Sequence, residues 1–146
     1  MESSPEERRR KELAAAAPIC PRGIACRGTL DGKDVCFLCG TIGAEFDRWQ
    51  RRLSLTGAAD ALFAQQIGLA AVEKVMDELE ARMRKEVEQE GRKLSPRWSP
   101  GYGGRPLALS REILAKLDAP KRIGVSITDA DLLVPSKSVT AVCEME

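Results

Sequence analysis

Four residues within the stretch RWSPGYGG carry a combination suited to holding a small ligand: Arg97, Ser99, Gly101 and Tyr102. Arg97 offers a planar guanidinium fork that matches a carboxylate in two-point contact. Pro100-Gly101 is a turn dipeptide in which the glycine can take positive φ. Gly101, Gly103 and Gly104 have no side chains to keep a ligand away from the main chain. Tyr102 adds a flat face and a hydroxyl. Together they suit a small molecule with a carboxylate at one end and a ring or polar edge nearby. The competing interpretation is a rigid surface loop with Arg97 paired to a neighbouring glutamate. As a ligand-site residue Arg97 is expected to add little to stability, since a surface ion pair contributes only about 0–1 kcal/mol.

Glu73 is the second candidate. Between Gly57 and Val72 the only charged residue is Asp60, so that half of a long helical pattern is expected to be buried nearly all round. Glu73 is the first charge after it, at the boundary of core and surface. It is either a solvated helix carboxylate or a carboxylate at the lip of a cleft.

Other chemistries find little support. The chain has no histidine, so a Ser/His/Asp set cannot be assembled. No GxGxxG follows a strand pattern and no P-loop occurs. No carboxylate, lysine or cysteine stands out as a shifted acid or base. Five cysteines (Cys20, Cys26, Cys36, Cys39 and Cys143) make an odd count that argues against a disulfide framework. Cys36-Phe-Leu-Cys39 has half of a zinc-knuckle spacing, but it sits in DVCFLCG, an apolar strand pattern. Residues three apart on a strand face opposite sides, so the two sulfurs would not converge on one metal. The cysteines are expected to be core residues without a stoichiometric metal.

With 146 residues, 43% hydrophobic and 31% charged, one domain with a real core is expected. A net charge of +1 gives no field for nucleic acid. No apolar run has the length of a membrane span, and MESSPEERRRKELAAAAP lacks a signal-peptide core, so a cytoplasmic location is expected.

The elements that must position these residues follow from pattern. Residues 4–17 predict a helix, with Ser4 as N-cap, Pro5 at N1 and Glu7 completing a capping box. Strands are expected at 22–30 and 34–40, joined by an Asp-Gly turn. An amphipathic helix is expected over 41–55, with Phe46, Trp49 and Leu53 on one face, and a long one from 58 to 90, ended by Gly91. Ser110 is expected to cap a short helix at 111–118, stopped by Ala119-Pro120. Strands follow near 123–128, 131–134 and 138–143. The order α-β-β-α-α-α-β-β(-β) predicts an α+β fold with a mostly antiparallel twisted sheet.

RWSPGYGG, followed by KRIGVSITDADLLVPSKSVTAV, resembles the reactivation domain of cobalamin-dependent methionine synthase, especially the short stand-alone proteins of that family. The similarity extends through GTIGAEFDRW and LFAQQIGLAAVEKVMDELEARMRKE and, more loosely, PRGI at 21–24, covering roughly residues 18–143. It implies a single reactivation-like domain at 18–146, preceded by the N-terminal helix at 1–17. That family's domain binds S-adenosylmethionine, whose methyl group, with an electron from a flavodoxin- or ferredoxin-type donor, restores methylcobalamin from the cob(II) state. The resemblance implies a methyltransferase component acting on a cobalamin-binding methionine synthase or other corrinoid protein, which carries the cobalamin. Arg97 matches the family's carboxylate-binding arginine, and Tyr102 its tyrosine. Ser99 sits where the family uses backbone contacts, Gly101 where the ligand comes close, and Glu73 aligns with a ligand-contacting glutamate. The family's second glutamate, six residues before the loop arginine, is replaced by Gly91, with Glu90 beside it. Two other readings stand beside this one: a corrinoid-docking module that does not bind S-adenosylmethionine, and a cysteine-based metal or redox protein.

Overall fold

The computed structural model describes residues 3–146 and has an α+β architecture. Helix α1 (Pro5–Ala16) begins as its capping residues require: the Ser4 hydroxyl accepts the Glu7 backbone N–H at 3.1 Å. Strands β1 (Arg22–Leu30) and β2 (Lys33–Thr41) form a hairpin. Asp31 and Gly32 turn it with both φ values positive, 51° and 77°, as a two-residue turn matched to strand twist needs. Next come α2 (Ala44–Ser54), α3 (Ala58–Gln89), α4 (Leu109–Leu117) and α5 (Ala119–Ile123). The short strands β3 (Ser126–Ile127) and β4 (Leu133–Val134) pair with each other, and β5 (Ser138–Glu144) returns to the main sheet.

That sheet has the order β1-β2-β5, antiparallel throughout. Beyond β5, residues 94–98 run alongside as an irregular edge, with bridges Leu94–Met145 and Trp98–Val142. The sheet separates two cores. On one face Met76, Leu79, Met83 and Val87 of α3 cover Cys36, Leu38, Ala141 and Cys143. On the other, Ile113, Leu114 and Leu117 of α4 cover Val35, Phe37, Cys39 and Val142. A third cluster joins α1, α2 and the first half of α3 through Leu13, Phe46, Trp49, Phe63 and Val72. Arg9 of α1 also pairs with Asp60 of α3 at 2.8 Å.

Several expectations need correction. The first half of α3 is not buried all round. Phe63, Ala64, Gly68 and Val72 pack inward, but Leu62 and Leu69 are 56% and 48% exposed. Only α1, α2 and the sheet cover that half, leaving one stripe free. Ser110 does not cap α4; it lies inside the helix, buried, and bonds Thr140 instead. Ala119-Pro120 stops α4 but opens α5, because proline is tolerated in a first helical turn. α5 also takes residues 119–123, so the strand expected from 123 shrinks to two residues. The amphipathic helix starts at Ala44, since Thr41 still belongs to β2 and Ile42 is buried beside it.

Cys36 and Cys39 lie on opposite sheet faces, as strand alternation requires. Cys36, Cys39 and Cys143 are buried, and burial pushes the Cys39 and Cys143 thiols up to about 12. Cys20 is exposed and Cys26 partly so, against the expectation that all five are core residues.

Candidate functional site

A cavity of about 620 Å³ opens at the outer edge of β5, where the 94–98 segment leaves the sheet. The volume lies within the roughly 300–1,000 Å³ range of small-molecule sites. Because it sits at a sheet edge, it draws residues from both layers. Leu69, Val72 and Glu73 come from α3, Ser110 from α4, and Ser138, Val139 and Thr140 from β5. The loop contributes Arg97, Trp98, Ser99, Pro100, Tyr102 and Leu107, and residues 131–133 close the remaining side.

The structure brings Glu73, Arg97, Ser99 and Tyr102 to this one cavity. Arg97 donates to Glu73 at 2.7 Å and to Glu80 at 2.9 Å, and its Nη1 lies 2.9 Å from Asp77 Oδ1. The three carboxylates stand at i, i+4 and i+7 along α3, which aligns them on one face. Burial works against the Arg97 charge, but the bonds it donates to Asp77, Glu80 and Glu73 outweigh it and raise its pKa above the ordinary arginine value. Arg84 bonds Glu80 at 2.8 Å from the other side and reaches the Ser95 carbonyl at 3.2 Å. The loop is thereby tied to α3 through two arginines.

Tyr102 stands at the rim, 74% exposed. Gly101 does not line the cavity itself. Its N–H donates to the Arg105 carbonyl at 3.0 Å, and its φ of 90° makes the turn that places Pro100 and Tyr102 on either side. A side chain there would be strained and would crowd Leu107 at 3.2 Å. Glu90, beside the position of the family's second glutamate, pairs with Arg27 on β1 and lies outside the cavity.

The rest of the lining was not singled out from sequence. Its floor consists of nearly buried hydroxyls. Ser110 Oγ and Thr140 Oγ1 are 2.9 Å apart, and Ser138 donates to Thr41 at 2.8 Å. Ser138 is held in place because the backbone N–H and hydroxyl of Ser136 both donate to Asp47 of α2, at 2.9 and 2.6 Å. Lys137 between them is nearly buried, and burial pulls its pKa down, opposed by Asp47. The Trp98 indole lies under the Arg105 guanidinium at 4.0 Å. Its N–H is the only fully buried side-chain polar atom without a hydrogen-bond partner among the described residues. Asp131 pairs with Arg111 at 2.8 Å on the far rim. No periodicity or motif rule singles out scattered serines and threonines.

Chemically, the arrangement can bind and orient. One wall carries charge, the opposite wall hydrogen-bonding groups, and Leu69, Leu107 and Leu132 supply apolar surface between them. No family model matches the sequence, and no curated protein matches it either. Ten solved chains match its structure. One, the MetH reactivation domain bound to AdoHcy, superposes with a TM-score of 0.72 over 95% of this chain at 14% sequence identity. This chain spans 62% of that domain's length. At that level of identity the likeness shows the fold, and the chain has the fold of a MetH reactivation domain.

Proposed function

We propose that the chain is an S-adenosylmethionine-binding reactivation module, supporting reductive methylation of cob(II)alamin on a cobalamin-dependent methionine synthase or related corrinoid protein. The observation that carries this reading is the convergence of Glu73, Arg97, Ser99 and Tyr102 on one cavity, within the fold of a domain that binds AdoHcy. When bound, S-adenosylmethionine supplies the methyl group and the partner's cobalamin receives it. The chain's own share is orientation, holding the donor at reacting distance while the metal carries the harder chemistry. A flavodoxin- or ferredoxin-type protein supplies the electron, and the location is cytoplasmic. The division into a helix at 1–17 and a reactivation-like domain at 18–146 belongs to the same reading.

The residues fit the ligand. Glu73 is half exposed and accepts the amino group of the methionyl end. The ligand's own carboxylate takes the place of Glu73 on Arg97, which frees the Glu73 carboxylate for that amino group. Glu73, Asp77 and Glu80 against Arg84 and Arg97 leave one surplus negative charge, which suits a sulfonium cation.

One observation favours the docking-module reading as a second. Leu62, Leu69, Tyr102, Leu107, Leu132 and Val134 are all exposed, and four of them line the cavity. Such apolar surface around a concave site marks an interaction face. Calorimetry of the chain with S-adenosylmethionine, with and without a cobalamin-loaded partner, decides between the two. Saturable binding to the chain alone supports the first; partner binding without any S-adenosylmethionine effect supports the second.

A further inference from the structure

The outer edge of β5 holds a backbone donor and acceptor that the fold leaves unpaired against the cavity. In an antiparallel ladder the N–H and C=O of one residue point to the same side, and successive residues alternate. Val142 exchanges both bonds with Trp98, at 2.8 and 2.9 Å, so its pair points away from β2. The Glu144 carbonyl, two residues on, accepts from Ser95 at 2.8 Å on that same side. Thr140, two residues before Val142, therefore points outward as well. The 94–98 segment no longer runs beside it, because Ser99 and Pro100 have turned into the loop. Among the described residues no group outside the strands bonds the Thr140 N–H or C=O. Yet Thr140 is only 3% exposed and lines the cavity.

Buried backbone groups are almost always paired, so this edge requires a partner. The Thr140 hydroxyl adds to the requirement. In the Ser110–Thr140 pair one hydroxyl donates to the other, which leaves one hydroxyl proton free. A peptide strand is the wrong partner. Only Ser138 and Thr140 face outward here, about 7 Å of strand, and residues of the 97–107 loop and of 131–133 share the opening with them. A small planar molecule with a donor and an acceptor side by side fits.

We propose that the Thr140 edge recognises the ring of the ligand, its N–H donating to a ring nitrogen and its C=O accepting from an adjacent amino group. The cavity is thereby specific for an aminopurine over an oxopurine. This rests on the S-adenosylmethionine reading and names the part of that ligand each wall takes. The methionyl end lies on the charged α3 wall and the base on the β5 edge.

The test uses the full chain with two probes: S-adenosylhomocysteine, and S-inosylhomocysteine, in which an oxo group replaces the ring amino group. The adenosyl compound is expected to bind about tenfold tighter or more, consistent with one or two unmade hydrogen bonds. At saturation it is also expected to slow hydrogen exchange of the Thr140 backbone amide, followed by NMR. Equal affinity for the two probes, or unchanged Thr140 exchange at saturation, overturns the edge assignment while leaving the cavity an adenosyl site. No binding of S-adenosylhomocysteine at all overturns the proposed function and this inference with it.

Discussion

The two walls of the cavity are built on different physical terms. The α3 wall is ionic: Arg97 is held by Glu73, Asp77 and Glu80, and Arg84 shares Glu80. Glu73 and Asp77 are more than half exposed, so water screens them and their side chains can exchange partners. The β5 wall is neutral and buried: Ser110, Ser138, Thr140 and the strand edge, with Asp131 at its rim cancelled by Arg111. Ser138 and Thr140 are held by the sheet, and Ser110 by α4 and its bond with Thr140. On the proposed reading, the adaptable ionic wall takes the ligand's charged end, whereas the hydrogen-bonding wall discriminates by which donors and acceptors the ligand presents.

The largest expected effect follows from breaking the ionic wall at its centre. Arg97→Ala removes the partner of three carboxylates spaced one and two turns apart, which then repel each other. Both affinity and stability are expected to fall, each by about 2–3 kcal/mol, since a charged hydrogen-bonded contact is lost. This exceeds what an isolated surface pair would give. Arg97→Lys keeps the charge and loses the fork, so it is expected to melt closer to wild type yet bind S-adenosylmethionine nearly as poorly as Arg97→Ala. Calorimetry and thermal melts on both variants check this. If Arg97→Ala melts early but binds normally, Arg97 is only the anchor of the loop.

Glu73→Gln is the next largest. It is expected to weaken binding by about 1.5–3 kcal/mol, one charge-assisted bond. Because Glu73 is half exposed, and Arg97 keeps Asp77 and Glu80, the melting temperature should hardly move. An unchanged dissociation constant would leave Glu73 a solvated helix residue.

This asymmetry of the walls is also an asymmetry of legibility. The ionic wall could be read from sequence because its signals are rare ones: an arginine before a proline-glycine turn, and a first charge after a long uncharged run. Asp77 and Glu80 share a helical face with Glu73, so the 3.6-residue period could have added them. The neutral wall could not be read that way. Ser110 has the sequence context of an N-cap, because a serine before a helical run is favoured there. Only the tertiary contact with Thr140 shows that it lies within the first turn, facing β5. The hairpin and long helices were legible for a local reason, since turn chemistry and periodicity act within a few residues. The exposure of Leu62 and Leu69 was not, because an uncharged helix face does not reveal whether a neighbour or a ligand covers it.

The neutral wall can be weakened without touching a charge. Ser110→Ala and Thr140→Val each delete one hydroxyl and leave the backbone edge in place. Each is expected to cost about 1 kcal/mol in ligand affinity and about the same in stability, the net worth of a neutral buried hydrogen bond. Combining Thr140→Val with Glu73→Gln gives a sharper reading. Groups on separate walls with no shared partner should act additively, within about 0.5 kcal/mol. Strong coupling measured by calorimetry on the four-member cycle would mean that the walls are one network, and the comparison would fail.

The smallest effect isolates charge from everything else. S-adenosylmethionine carries a sulfonium that S-adenosylhomocysteine lacks, while the two share the base, ribose and amino-acid end. The α3 wall has one negative charge in surplus, so the cation should be preferred. The exposure of Glu73 keeps the screening close to that of water, where two unit charges several ångströms apart interact by less than about 1 kcal/mol. The preference is therefore a factor of a few at low salt, and it should shrink as ionic strength rises. Glu73→Gln should abolish it, because that substitution removes the surplus. Thr140→Val should weaken both ligands equally and preserve the ratio, because the neutral wall does not sense the sulfonium. Paired titrations of both ligands against both variants measure the ratio directly. A ratio that follows Thr140 rather than Glu73 would place the sulfonium against the β5 wall and reverse the proposed orientation of the ligand.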